Sequence, residues 1–345
     1  MRFYENPVPS LTNWESLHQA LAADQRPPKM MSIDEYEELT PEQKQAFDDR
    51  RKAYVAGDMT VATPQVQDLI STSETVMEQN HHALAGRRGI LLSGPSATGK
   101  TTACIALMRY TYLAYEHQFP DLIDGGAVPV AYVEVPPGST AKAMMQRFAD
   151  FYSIPYSERT SLNVLKHAVV NAMREGKTQL VILDEFQNLG RISGTNGHSI
   201  DTVKDLSNDS PATFIYSGIK LESSGLLAGS RGDQVARRFT PIRLELTRNN
   251  KLWQKIVEAF AGQLPLFAND PEGLVKLSAW LHKQTGGNLG TLQSILVQAT
   301  HRLIAASDPE AETLTEEVMK QSRRDLRALA GGSWSTLHRS DEDAA

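Results

Sequence analysis

Short apolar runs, bounded by turn residues, recur through the middle of the chain. Two of them, QLVILD (179–184) and ATFIYS (212–217), are continuously apolar, which is typical of strands covered on both faces. With their neighbours they predict five strands, at GILLS (89–93), VPVAYVEV (128–135), QLVILD, ATFIYS and PIRLEL (241–246). Because these runs alternate with helical patterns, we expect an α/β fold with a parallel five-stranded sheet flanked by helices.

Helical periodicity occupies the intervals between these runs. It predicts helices over TPQVQDLISTSETVMEQN (63–80), TTACIALMRYTYLAYEHQ (101–118), STAKAMMQRFADFY (139–152) and SLNVLKHAVVNAMREG (161–176). A single charged helical stretch is also predicted over 32–57. Ser32 would be its N-cap, with Glu35 three residues on.

The pattern changes at Asn250, after which the strand signals end. Four helical patterns follow, at KLWQKIVEAFAGQL (251–264), PEGLVKLSAWLHKQT (271–285), TLQSILVQATHRLIAAS (291–307) and TEEVMKQSRRDLRALA (315–330). The predicted organisation is therefore an N-terminal extension (1–60), an α/β domain (61–248), an all-α domain (249–330) and a flexible tail (331–345).

Composition narrows the class of protein. The 345 residues carry a net charge of −6, so any nucleic-acid binding would need a local basic patch. Cys104 is the only cysteine, which excludes an intrachain disulfide and favours a reducing, cytoplasmic location. No apolar run approaches the roughly 18 residues of a membrane span, and the first residues lack a secretory pattern. We expect a cytoplasmic protein with no membrane contact.

The stretch GPSATGKT (94–101) fits the phosphate-loop pattern G-x-x-x-x-G-K-[ST] and follows a predicted strand. Backbone N–H groups of such a loop converge on phosphate oxygens, and the following helix adds its positive N-terminus. Lys100 would neutralise the β- and γ-phosphates of ATP, and the Thr101 hydroxyl would ligate Mg²⁺. The predicted nucleotide-binding residues are Gly94, Pro95, Ser96, Ala97, Thr98, Gly99, Lys100, Thr101 and Thr102.

Two adjacent carboxylates end the predicted strand in LVILDEFQNL (180–189). In a parallel sheet this end lies on the same edge as the phosphate loop. Asp184 would hold Mg²⁺, directly or through water, and Glu185 would orient and deprotonate the attacking water.

These motifs, the strand ATFIYS, the sequence QVARRFTPIRL and the helical C-terminal region together resemble the AAA+ ATPases. The resemblance implies a P-loop fold with a helical lid, and Ser217 as the polar residue that senses the γ-phosphate. It also implies an arginine that reaches into a neighbouring subunit's site. Arg238 is the preferred candidate and Arg237 the next. The lid arginine of the family is replaced here by Gly290, which favours slow hydrolysis.

Within that superfamily, the order and spacing of motifs between about 45 and 310 resemble the TniB/TnsC-type regulators of DNA transposition. The resemblance implies ATP-dependent assembly into a homo-oligomeric ring or helical filament. It also implies binding to double-stranded DNA without sequence preference, and interaction with a DDE transposase and target-selector proteins.

The resemblance also implies that contacts with the duplex backbone come from near the helix after the second strand, which begins here in PPGSTAKAMMQRF (136–148). Thr140 and Lys142 would lie at its start and Arg147 further along. An ordinary amphipathic helix with solvated cations explains the same residues equally well. Two other functions stay open: an AAA+ or STAND-type signalling or loader ATPase that acts on protein partners, and, less favoured because of Glu185, a phosphotransferase.

Overall fold

The computed structural model describes residues 10–23, 25–57, 59–84, 86–96, 98–189, 196–221 and 238–329. The chain forms two compact units. One comprises Met1–Asp24 and Ala62–Glu245, and the other comprises Gln25–Val61 and Leu246–Ala345. We call them the α/β unit and the helical unit.

A five-stranded parallel sheet forms the centre of the α/β unit. Its strand order is β2-β3-β4-β1-β5, and its strands are β1 (Gly89–Ser93), β2 (Val130–Glu134), β3 (Leu180–Asp184), β4 (Thr213–Gly218) and β5 (Phe239–Arg243). The described helices of this unit are α1 (Trp14–Ala22), α4 (Pro64–His82), α5 (Lys100–Gln118), α6 (Pro120–Asp124), α7 (Ala141–Phe151), α8 (Leu162–Glu175) and α9 (Asn196–Asp209). The predicted fold class is confirmed.

The helical unit contains seven described α-helices. They are α2 (Ile33–Glu37), α3 (Pro41–Ala56), α10 (Lys251–Ala261), α11 (Pro271–Lys276), α12 (Ser278–Thr285), α13 (Leu289–Ala306) and α14 (Glu316–Leu329). Their apolar faces enclose a core of their own around the fully buried Trp253, whose indole N–H donates to the carbonyl of Ser278 at 2.8 Å.

The predicted strand boundaries agree closely with β1 to β4 and less well with β5. The sequence PIRLEL predicts a strand from Pro241 to Leu246, whereas β5 runs from Phe239 to Arg243. This strand lies at the edge of the sheet, where Pro241 faces Leu91 and its missing N–H costs no ladder bond. Leu244 continues the pairing with one bond to Ser93, and Leu246 is exposed.

The charged N-terminal stretch forms two helices where one was predicted. Ser32 does cap α2, and Glu35 completes a capping box as expected. A second capping box, made by Thr40 and Gln43 with Pro41 at the first helical position, starts α3. Proline cannot continue a helix from the preceding turn, but it fits the first turn of a new one.

The N-terminal extension predicted over 1–60 is shared between the two units. Helix α1 packs on α5, where Nε2 of His18 lies 3.0 Å from the hydroxyl of Tyr112. Helix α3 instead joins the helical unit through Arg51, which bonds to Asp48 and Glu312 at 2.6 Å each. A buried cation needs such partners. Because Glu312 lies after the third predicted helix of the lid, this ion pair joins α3 to the C-terminal part of the helical unit.

Candidate active site

Glycines let the backbone turn sharply between β1 and α5. A Cβ atom at residue 94 would lie 2.5 Å from the carbonyl oxygen of Leu244, so only glycine fits there without displacing backbone. Gly99 has a φ of 88°, in the left-handed region that glycine adopts without strain. The loop therefore passes close to the sheet before it enters α5.

Lys100 lies within the curve of this loop. Its ammonium group donates to the carbonyl oxygens of Gly94 at 3.0 Å and Pro95 at 2.7 Å. An ammonium has three donors, so one stays available for a phosphate oxygen. Burial lowers the pKa of Lys100, and the nearby carboxylates of Glu185 and Asp184 partly offset that effect.

The N-terminus of α5 is open to an anion. Gly99 is the N-cap residue of this 19-residue helix, and no side chain of a described residue caps its first N–H groups. Those groups and the helix dipole favour phosphate. Of the predicted loop residues, Ser96 is exposed, Thr98 donates to the carbonyl of Pro95, and Ala97 lies outside the described residues.

Asp184, the last residue of β3, accepts three hydrogen bonds. The hydroxyls of Thr101 and Tyr132 donate to its Oδ2 at 2.8 and 2.9 Å, and the backbone N–H of Glu185 donates to Oδ1 at 2.9 Å. The structure thus brings together the two predicted Mg²⁺ ligands. A hydroxyl and a carboxylate supply hard oxygen atoms, which suit Mg²⁺.

Glu185 follows with its backbone in the left-handed region, at a φ of 54°. Such a conformation is uncommon for a residue with a side chain and is often found at functional sites. Its carboxylate accepts a hydrogen bond from the side-chain amide of Gln187. Glu185 is partly exposed, unlike Asp184, so its carboxylate can meet water.

Tyr132 and Gln187 belong to the site but were not predicted from the sequence. Tyr132 is buried on β2, in the middle of an apolar run that gives no sign of a polar contact. Gln187 has a detectable signal in the sequence, since the amide pair Gln187–Asn188 follows the two carboxylates after a single residue, Phe186. The structure uses both amides, and Asn188 donates to the carbonyl of Val135 at 3.0 Å.

Ser217 is fully buried in β4, opposite Leu92 of β1. Its hydroxyl forms no hydrogen bond of ordinary geometry with a described residue. It lies close enough to the Cys104 thiol to offset part of the rise in pKa that burial causes there. Ser217 follows Tyr216, which pairs with Leu183, so it lies beside the β3 end that carries Asp184. Its hydroxyl bonds to neither Lys100 nor Asp184, and its sensing role stays a prediction.

Arg238 lies where the parallel strands begin, whereas the phosphate loop lies where β1 ends. It precedes β5, its carbonyl accepts from the N–H of Gly89 at the start of β1, and its guanidinium lies beside Gly86. The start of β1 and the phosphate loop are separated by the length of this strand, about 13 Å at the usual rise per residue. Arg238 therefore cannot serve the site of its own chain, and Arg237 lies outside the described residues.

The three predicted DNA-contacting residues occupy the start and the middle of α7. Thr140 is exposed and caps the helix by accepting from the N–H of Ala143. Arg147, seven residues on, is exposed on the same face. Lys142 instead donates to the carbonyl of Glu158 at 2.6 Å, so part of its bonding capacity is used within the chain.

Neither a metal cluster nor a membrane helix is present among the described residues. They contain no group of three or more His, Cys, Asp and Glu side chains that could hold a metal ion. In the same part of the chain, no helix combines the length and the apolar character that crossing a bilayer requires.

A phosphate loop after the interior strand β1, an acidic end on β3 and this strand order define an AAA+ P-loop fold. The family profile described as "Bacterial TniB protein" matches residues 51–249, more than half of the chain. The chain belongs to the TniB family. No curated protein sequence matches it.

Several solved structures share the fold. The ORC2 protein of Aeropyrum pernix, in its ADPNP-ADP complexes, is 17% identical with a TM-score of 0.58, over 78% of this chain and 70% of that one. The ORC1 protein of the same organism, in complex with DNA, is 16% identical with a TM-score of 0.57, over 79% and 67%. Cdc6p from Pyrobaculum aerophilum is 16% identical with a TM-score of 0.52, over 80% and 72%.

Proposed function

We propose that this chain is an Mg²⁺-dependent ATPase whose ATP-bound oligomer binds DNA and regulates transposition. The observation that carries the proposal is the contact between Thr101 and Asp184, with Lys100 held in the adjacent loop. These are the three side chains that a nucleoside triphosphate with its metal requires where the parallel strands end. A cytoplasmic location belongs to the same proposal.

Each residue has a distinct task in hydrolysis. Lys100 and the first N–H groups of α5 bind the phosphates and offset their charge. Bound Mg²⁺, held by Thr101 and Asp184, would polarise the phosphate oxygens. Glu185 accepts a proton from water that attacks the terminal phosphate, because its carboxylate is partly exposed at the strand end.

The position of Arg238 supports oligomerisation. This exposed arginine lies at the start of the strands, away from the phosphate loop of its own chain. We therefore infer that it acts on the nucleotide of another copy. ATP held between two copies then stabilises their interface. This arrangement supports a ring or filament that depends on nucleotide.

DNA binding rests on the exposed face of α7 that carries Thr140 and Arg147. One copy offers few phosphate contacts and has a net charge of −6, so a single subunit should bind duplex weakly. An oligomer repeats these contacts along the duplex, and their free energies add once the copies are joined. Membership of the TniB family supports this part of the proposal, as does the likeness to the ORC1 protein, whose structure is a complex with DNA.

Recruitment of a DDE transposase, or of a target selector, is the biological role we propose for the assembled state. Family membership supports it, and the oligomer on DNA would provide the docking surface. Co-sedimentation of the assembled protein on duplex with a transposase encoded next to it would test this step directly.

The test of the core proposal is duplex binding by fluorescence anisotropy, with an ATP analogue, with ADP and without nucleotide. We expect tight binding only with the ATP analogue, equal for unrelated sequences and falling steeply between two salt concentrations. Equal affinity in all three nucleotide conditions would favour the alternative of an AAA+ or STAND-type ATPase that acts on protein partners.

A further inference from the structure

The side-chain amide of Gln187 joins the turn after β3 to the end of β4. Its nitrogen donates to Oε2 of Glu185, and its oxygen accepts from the N–H of Ile219 at 3.0 Å. Only this orientation of the amide places a donor against the carboxylate and an acceptor against the N–H. Both ends of the side chain are engaged, and Glu185 is connected to β4 through Gln187.

Gly218 provides the space for this bridge. A Cβ atom at residue 218 would lie 2.2 Å from Oε1 of Gln187, so any larger residue would displace the amide. The carbonyl of Gly218 also accepts from the N–H of Gly94 at 3.3 Å. The last residue of β4 therefore contacts both the glutamine amide and the first glycine of the phosphate loop.

These contacts form one continuous path from the phosphate loop to Glu185, through Gly218, Ile219 and Gln187. The bond at its far end is to a carboxylate, and bonds to charged acceptors are the stronger ones. The bond from Gln187 occupies one carboxylate oxygen of Glu185 and holds the Glu185 side chain in one conformation. A general base must instead be able to turn toward its water.

We propose that Gln187 is a positioning residue that restrains Glu185, and that displacement of the end of β4 releases it. Turnover then responds to the state of the phosphate loop and of β4. This inference rests on the proposed ATPase function and concerns the regulation of the same site.

The test replaces Gln187 by methionine, which has a similar length and no amide. We expect kcat for ATP to rise at least about tenfold, the lower end of the range that corresponds to one hydrogen bond to a charged group. The KM and the dissociation constant of a fluorescent ATP analogue should not change, because neither bond of Gln187 involves the nucleotide-binding residues. Adding Glu185→Gln to this variant should remove the gain.

Asn188→Leu is the matched control. The side chain of Asn188 joins the same turn to Val135, the residue after β2, and does not bond to the Glu185 carboxylate. Its loss therefore loosens the turn without freeing that carboxylate, and the backbone bond from Asn188 to the Glu185 carbonyl is kept. We expect wild-type kcat. An equal gain in this variant would show that a loose turn, and not the release of Glu185, raises turnover.

Gly218→Ala gives a second, independent route to the same result. Its added Cβ atom displaces the amide while Gln187 stays in the chain, and kcat should rise as in Gln187→Met. Unchanged or lower kcat in both variants, with normal folding and nucleotide binding, overturns the restraint. Failure of the wild-type chain to bind the ATP analogue would instead remove the proposed function itself.

Discussion

The hydroxyl of Tyr132 donates to Oδ2 of Asp184 at 2.9 Å, the same oxygen that accepts from Thr101. Tyr132 lies on β2 and Asp184 on the neighbouring strand β3, and both are buried. The Tyr132 hydroxyl therefore fixes the orientation of the Asp184 carboxylate from the neighbouring strand. Loss of a group that orients a metal ligand typically lowers metal affinity about 10- to 100-fold.

Tyr132→Phe should consequently weaken the response to Mg²⁺. We expect the Mg²⁺ concentration that half-maximally promotes binding of an ATP analogue to rise about tenfold, the lower end of the usual range for such partners. Tyr216→Phe is the control, because Tyr216 is also buried on a central strand and packs on Phe186, without bonding to Asp184. Equal Mg²⁺ dependence in the two variants would contradict this role.

Lys100 and Glu185 should separate binding from hydrolysis. Lys100→Ala removes the cation held in the loop, so it should abolish ATP binding, measured with a fluorescent analogue. Glu185→Gln keeps the shape of the side chain but cannot take a proton, so binding should persist while turnover falls at least about 100-fold. Wild-type turnover in Glu185→Gln would show that another group is the base.

The phosphate loop and the acidic strand end could be predicted because their residues are close together in sequence. The loop from Gly94 to Thr101 needs only a tight turn and a helix start, and both are local properties. The contact between Thr101 and Asp184 also follows from the sequence, because carboxyl ends of parallel strands share one edge of the sheet.

The sheet order and the partners of Tyr132 and Gln187 could not be predicted in this way. Tyr132 reaches Asp184 across 52 residues, and Gln187 reaches Ile219 across 32. Such contacts depend on which strands become neighbours, and local patterns do not determine that. The same holds for Arg51 and Glu312, which meet across 261 residues.

The buried ion pair of Arg51 with Glu312 should be important for the stability of the helical unit. Glu312→Ala leaves a buried cation with too few partners, and removing one member of such a pair typically costs about 3–5 kcal/mol. Lys44→Ala is the control, because its pair with Glu37 links α2 to α3 at the solvent-accessible surface and is expected to contribute about 0–1 kcal/mol. Urea unfolding followed by tryptophan fluorescence would measure both, and similar losses would contradict the assignment.

Tyr36 should make the stability of the helical unit depend on pH in the alkaline range. Burial, and then its bond to Asp48, raise the pKa of Tyr36 to about 12, whereas an unfolded tyrosine titrates near about 10. A raised pKa means that its contribution is fully present below pH 10 and is lost as the pH rises toward 12. The free energy of unfolding of wild type should therefore fall relative to that of Tyr36→Phe across this range. Parallel curves would contradict the prediction.

Arg238 should act only between copies of the chain, because it lies at the start of the parallel strands and its own phosphate loop lies at the end of β1. Arg238→Ala should bind the ATP analogue with normal affinity but lose ATPase activity. Lys100→Ala should be inactive for the opposite reason, since it keeps the arginine and loses its own site. A mixture of the two places an intact arginine beside an intact loop at some interfaces, so it should recover part of the wild-type turnover. Absence of recovery, with both variants folded and co-assembling by analytical ultracentrifugation, would count against Arg238, and Arg237→Ala would then be measured in the same mixture.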